Sequence, residues 1–320
     1  MLVSLLLVIL GFVMLMGGAE YTVRGAVAIA NRLHIPSLII GLTIVALGTS
    51  VPEFVVSIKS ALTGNAGISV GNVIGSNIVN VLLVLGASAV ICPISCDGKA
   101  FYRDFSFLFV VTLVFAFFVI RGEFINWNGW VLLALLVMFL IYNYLGAQKD
   151  ENAEDEIPSQ LVNSSWWIIL IALSGGLFAI AYGAEFLVSG AVELARVFGV
   201  SEEIIGVTIV AVGTSAPELA TSCVAAFRRQ NGIALGNVVG SNIWNIVFVM
   251  GATSAITDVK VADQFILFDV WVMMFASFML LPIMMFKNKI TRMEGVFMLI
   301  CFIVYMYAQI LINNGELILM

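Results

Sequence analysis

A chain of 320 residues that is 62% hydrophobic and only 11% charged cannot be an ordinary water-soluble domain, in which roughly a quarter of the residues carry charge. Strands of ~10 residues alternating in polarity, as a membrane barrel needs, are not found, so the class is all-α. The formal charge of −6 comes largely from one acidic stretch and says little about partners, of which no nucleic acid is expected, and the single histidine, His34, excludes a cluster of imidazole ligands.

In chain order, apolar spans long enough to cross a bilayer (~20 residues) are predicted near 2–31, 36–63, 68–92, 103–121 and 127–147. A second set follows near 163–197, 202–228, 233–256, 264–286 and 292–313. The first span lacks a basic leader and a clear cleavage site, so it reads as a membrane helix and not as a removable signal. The acidic stretch KDENAEDEIPSQ at 149–160 reads as a solvated linker. The chain divides into a first five-helix unit (1–148), this linker (149–161) and a second five-helix unit (162–320). Cys92, Cys96, Cys223 and Cys301 read as small apolar filler, with a paired role for Cys92 and Cys96 as the lesser reading.

The two units are copies. GLTIVALGTSVPE at 41–53 is matched by GVTIVAVGTSAPE at 206–218, and GNVIGSNIVN at 71–80 by GNVVGSNIWN at 236–245, with an offset of 165 in both cases. Internal duplication of this kind marks a repeat architecture. Five helices per copy is an odd number, so the second copy would enter the membrane in the opposite sense, giving ten helices as inverted-topology repeats. Lys and Arg gather on one side, at Arg32, Lys99, Arg103, Arg228, Arg229 and Arg292 among others. That side is expected to be cytoplasmic, with the linker inside and both termini outside a cell membrane.

The motifs GTSVPE and GTSAPE fall in the middle of spans 2 and 7 and should break them. Pro52 and Pro217 lack an N–H and clash with the carbonyls of Gly48 and Gly213. Carbonyls freed inside a membrane need another partner. Glu53 and Glu218 follow those prolines, and a charged carboxylate at mid-bilayer costs about 2.5–3.5 kcal/mol even on the gentler scales. Neither motif supplies a Lys or Arg, so a functional role is expected. Thr49 and Ser50, with Thr214 and Ser215 in the second copy, share a helical face with the glutamates. Along spans 3 and 8, Ser76, Asn80, Ser241 and Asn245 are favoured as cation ligands. Asn72 and Asn237 divide equally between ligation and helix-to-helix glue. The set is hard oxygen throughout, which suits calcium more than transition metals. Two carboxylates would be neutralised by one Ca²⁺ or by two Na⁺, which makes competition a mechanism for exchange.

These paired motifs resemble the two α-repeats of the Na⁺/Ca²⁺ exchanger family, prokaryotic type, within the calcium/cation antiporter superfamily; the resemblance covers essentially the whole chain. It implies an antiporter and no enzyme, no cofactor, transported Ca²⁺ and Na⁺, membrane lipid as surroundings and no obligate protein partner. It adds the backbone oxygens of Ala46 and Ala211 to the ligand set. It also implies that helices 1 and 6 slide as a gating pair, for which their glycines (Gly17-Gly18 and Gly175-Gly176) look suited. Glu20 and Glu185 on those helices are candidates for ion access or gating, with a simple Glu20–Arg24 pair the alternative. Some family members carry Asp where this chain has Asn80 or Asn245, which puts K⁺ co-transport in doubt. A Ca²⁺/H⁺ or K⁺-dependent exchanger on the same fold is the nearest rival and a cation channel the more distant one.

Overall fold

The structure is a computed structural model that describes residues 1–64, 66–95, 99–147, 159–199, 209, 211–282 and 289–313. In chain order the helices are α1 (Leu2–Leu33), α2 (Ser37–Ile40), α3 (Ala46–Thr49), α4 (Val51–Leu62), α5 (Ala66–Val79), α6 (Gly86–Ile91), α7 (Lys99–Ile120) and α8 (Asn126–Ala147). The second copy supplies α9 (Trp166–Val197), α10 (Ala211–Thr214), α11 (Ala216–Phe227), α12 (Asn231–Trp244), α13 (Gly251–Ile256), α14 (Val270–Phe278) and α15 (Arg292–Asn313). Wide π-helical turns occupy Gly41–Val45, Asn80–Leu85, Asn245–Met250 and Phe265–Asp269.

Among the described residues, eight helices are long and apolar enough to cross a membrane. They become nine if the pair Ser37–Thr49 and Val51–Leu62, bent by 44°, counts as one broken span. The expected span at 202–228 includes positions outside the described residues, as do most of the linker and Cys96. Cys92 is a free thiol.

α1 and α9 lie antiparallel and nearly backbone to backbone. A Cβ placed on Gly18 would sit 2.7 Å from the Gly176 carbonyl oxygen, one on Gly183 3.0 Å from that of Gly11, and one on Gly190 2.6 Å from that of Ser4. Small residues let membrane helices approach in this way. Both helices run unbroken, so the glycines act as a contact seam and do not interrupt them. Gly17 and Gly175, whose Cβ positions meet nothing within 4 Å, lie off that seam.

The centre is formed by α5–α6 and α12–α13. In an apolar 18-residue window of 231–256, 94% of residues are buried, against 17% in that of 292–312, so the former is core and the latter periphery. The peripheral helices cross over. α15 packs on α6, where Gly295 meets Gly86, and α8 packs on α13, where Gly129 meets Gly251 and Ala255. Four two-residue strands modify the all-α expectation, and they too pair between copies. β1 (Ile94–Ser95) is antiparallel to β4 (Lys289–Ile290), and β2 (Glu123–Phe124) to β3 (Val259–Lys260).

Candidate cation site

The break expected in span 2 falls at Ser50, which has φ −86 and ψ 3 and separates α3 from α4. Ser215, with φ −91 and ψ 9, separates α10 from α11 in the same way. Pro52 and Pro217 lie in the first turns of the new helices, where a missing N–H costs nothing. Glu53 and Glu218 therefore sit in first turns too, where the helix dipole favours an anion. α9 crosses close to both breaks. A Cβ on Gly48 would press on Leu177, and one on Gly213 would lie 2.2 Å from a Val188 methyl.

Glu53 and Glu218 are completely buried, and Thr49, Ser50, Ser76, Asn80, Ser215, Ser241 and Asn245 are at most 2% exposed. Thr214 is half-buried. Hydrogen bonds join the two copies here. The Ser50 hydroxyl lies 3.3 Å from Glu218 Oε1, and the Ser241 hydroxyl 3.5 Å from the same oxygen. The Thr49 hydroxyl donates to Asn237 Oδ1 at 3.1 Å and lies 3.4 Å from Ser241 Oγ. The carbonyl of Ala46 already accepts the Ser50 N–H at 3.0 Å, and the Thr49 hydroxyl lies 3.2 Å from it as an alternative to Asn237, so it is less free than expected. Ala211 opens α10.

Among the described residues, seven buried side-chain oxygens of this group have no hydrogen-bond partner: both carboxylate oxygens of Glu53, Oε2 of Glu218, the hydroxyls of Ser76 and Ser215, and Oδ1 of Asn80 and of Asn245. Each such group costs about 1–3 kcal/mol if left unsatisfied. A hard cation that takes six to eight oxygens would satisfy them together. No cluster of three or more His, Cys, Asp or Glu side chains suited to a metal occurs among the described residues, which leaves the two glutamates as the site's charge.

Residues at the edge of the site separate into roles. Asn72 Nδ2 donates to the Glu53 carbonyl at 3.0 Å and to the Ser57 hydroxyl at 2.9 Å. Asn237 Nδ2 repeats this with the Glu218 carbonyl at 3.4 Å and Ser222 at 2.9 Å. These two asparagines tie α5 to α4 and α12 to α11, which is the glue reading. Glu20 accepts from Arg24 and from Arg228, its Oε2 lying 2.9 Å from Arg228 Nε. Glu185 is exposed and has no ion pair among the described residues, so the matched positions have different surroundings.

The family described as sodium/calcium exchanger protein matches residues 3–145 and 166–311. The chain belongs to that family. This sodium/calcium exchanger family member is a multi-pass membrane protein and a cation antiporter. It is 31% identical to the sodium/calcium exchanger MaX1 of Methanosarcina acetivorans, over 95% of this chain and 97% of that one. It is 32% identical to the inner membrane protein YrbG of Escherichia coli strain K12, over 80% of this chain and 81% of that one. Among solved structures it resembles the sodium-calcium exchanger NCX_Mj soaked with 2.5 mM Na⁺ and 10 mM Sr²⁺, with a TM-score of 0.82, 33% identity and coverage of 95% and 97%.

Two sets of buried polar residues in this exchanger escaped the sequence reading. Ser57, Asn77, Ser222 and Asn242 are at most 1% exposed and lie at the same 165-residue offset, which was the available signal. Asp104 and Asp269 form a third matched acidic pair, 1% and 2% exposed. Arg103 binds Asp104 at 2.8 and 3.0 Å. Asp269 instead accepts from the neutral Tyr305 at 3.0 Å and from Gln309.

Proposed function

We propose that this antiporter exchanges Na⁺ for Ca²⁺ by alternating access at a single mid-membrane site. Glu53 and Glu218 supply the charge. Thr49, Ser50, Ser76, Asn80, Thr214, Ser215, Ser241, Asn245 and the backbone oxygens of Ala46 and Ala211 supply the remaining ligands. The observation that carries this reading is the set of seven buried oxygens unpartnered among the described residues, three of them on two carboxylates that also lack a basic partner there. A divalent ion or two monovalent ions would balance the charge, and either occupant would have to leave before the other bound. The names of MaX1 and NCX_Mj support sodium as the counter-ion.

The same reading takes the chain as ten spans in two inverted units, 1–148 and 162–320, joined by a cytoplasmic linker with both termini outside the cell. It needs membrane lipid as solvent and no cofactor. α1 and α9, joined along their glycine seam, are the gating pair that slides across the core.

The test is ⁴⁵Ca²⁺ uptake into proteoliposomes loaded with Na⁺ and diluted into Na⁺-free buffer, beside a sample with a proton gradient alone. Uptake driven only by the Na⁺ gradient, and lost in Glu53→Gln and Glu218→Gln proteins that still purify as folded species, is the expected result. Uptake driven only by protons would replace sodium by H⁺ at the same site. Wild-type uptake in either glutamine variant would remove the site assignment.

A further inference from the structure

A side-chain amide has two unlike ends: an NH₂ that donates and an oxygen that accepts. An asparagine serves a cation only if its oxygen faces the ion, and rotation about its last torsion would present the repelling NH₂ instead. Something must decide which end Asn80 and Asn245 turn toward the site.

The structure contains a device that does this. Asn80 Nδ2 lies 3.1 Å from Asn242 Oδ1, and Asn245 Nδ2 lies 3.4 Å from Asn77 Oδ1. Each bond joins one copy to the other, and the two are equivalent under the 165-residue offset. The nitrogen ends are thereby used, and the oxygens of Asn80 and Asn245 are the ends left without a partner. The acceptors are themselves held. Asn242 Nδ2 lies 3.4 Å from the Asn77 carbonyl oxygen, and Asn77 Nδ2 lies 3.9 Å from the Met273 sulfur on α14. All four amides are at most 1% exposed, so water is not available to take over the bonds.

We propose that Asn77 and Asn242 are positioning residues, each fixing the ligand amide of the opposite copy with its oxygen toward the transported cation. The proposal rests on the reading above that Asn80 and Asn245 are ligands. It makes the two copies interdependent, since neither completes its ligand set alone. Outer groups that orient direct ligands commonly alter metal affinity in this way.

A double-mutant cycle on calcium uptake by the reconstituted full chain tests the proposal, comparing wild type, Asn80→Ala, Asn242→Leu and the double variant. The readouts are the half-saturating Ca²⁺ concentration, the maximal rate, and thermal stability in detergent. Asn242→Leu alone is expected to raise half-saturation about five- to tenfold with a smaller change in maximal rate. In the Asn80→Ala background it should add little, because there is no amide left to orient. Equal effects in both backgrounds, or no effect in either, would overturn the proposal. So would a stability loss with unchanged half-saturation. If Asn242→Leu does not fold, the mirror cycle of Asn77→Leu with Asn245→Ala decides by the same criteria. The two readings fail differently: an inert wild type sinks the transport function, whereas normal wild-type uptake with an additive cycle sinks only the orienting role.

Discussion

Ser50, at the break between α3 and α4, has its hydroxyl 3.3 Å from Oε1 of Glu218 in α11. One copy of the repeat thus hydrates the carboxylate of the other. A hydrogen bond to a charged group is worth about 1.5–3 kcal/mol at good geometry, and this one is long. Ser50→Ala is expected to raise the half-saturating Ca²⁺ concentration about three- to tenfold and to leave the fold intact. Calcium-dependent uptake in proteoliposomes measures it, and an unchanged value would mean that the hydroxyl serves neither carboxylate nor ion.

The seam between α1 and α9 separates paired glycines by environment. A Cβ at Gly176 would lie 2.5 Å from Thr22 Oγ1 and 2.7 Å from the Gly18 carbonyl oxygen, whereas one at Gly175 would meet nothing within 4 Å. Gly176→Ala should therefore destabilise the protein by about 1–3 kcal/mol through overpacking. Gly175→Ala should be neutral or slightly stabilising through helix propensity. Thermal unfolding in detergent separates the two, and equal shifts would contradict the seam.

Glu20 is shared by Arg24 on its own helix and Arg228 at the end of α11. With Glu20 about a quarter exposed and Arg228 more so, the pair is screened by solvent and worth at most about 1 kcal/mol. Arg228→Ala should leave the half-saturating Ca²⁺ concentration unchanged and alter the transport rate modestly. That change should shrink at high ionic strength. A large rise in half-saturation would instead place Glu20 on the ion's path.

Asn245→Asp would add a third carboxylate and take the site from a formal −2 to −3. One Ca²⁺ would no longer neutralise it. Calcium uptake by this variant is expected to depend more steeply on K⁺ concentration or on pH than uptake by the parent does. Titrating both in proteoliposomes checks this, and insensitivity to each would show that charge balance does not set which ions travel together.

Much of this was legible because duplication doubles every signal. The helix breaks follow from Pro52 and Pro217 alone, and two buried glutamates at matched positions are hard to explain by chance. The bend, the burial and the hydroxyl stripe agree with that reading. Other features were hidden for physical reasons. Asn77 and Asn242 lie off the four-residue stripes that run through Ser76 and Asn80 and through Ser241 and Asn245, so periodicity does not single them out. They bond to Asn80 and Asn245 only because the opposite copy comes close enough, which no single-helix pattern reports. The glycines of α1 and α9 look suited to a mobile pair when read along one helix, and only a partner helix shows which of them are contact points. Crossed strand pairs two residues long leave no alternation to read.

The wide turns at Asn80–Leu85 and Asn245–Met250 act as phase shifters. Each begins at an asparagine of the candidate site and ends where a glycine, Gly86 or Gly251, receives the peripheral helix of the other copy. Because the turn holds one extra residue, it rotates the following segment by about 100° relative to a regular helix. The face that carries the candidate site and the face that docks the periphery are therefore kept in register by a local miscount. Deleting a single residue from either turn would leave both faces chemically intact and point them in incompatible directions.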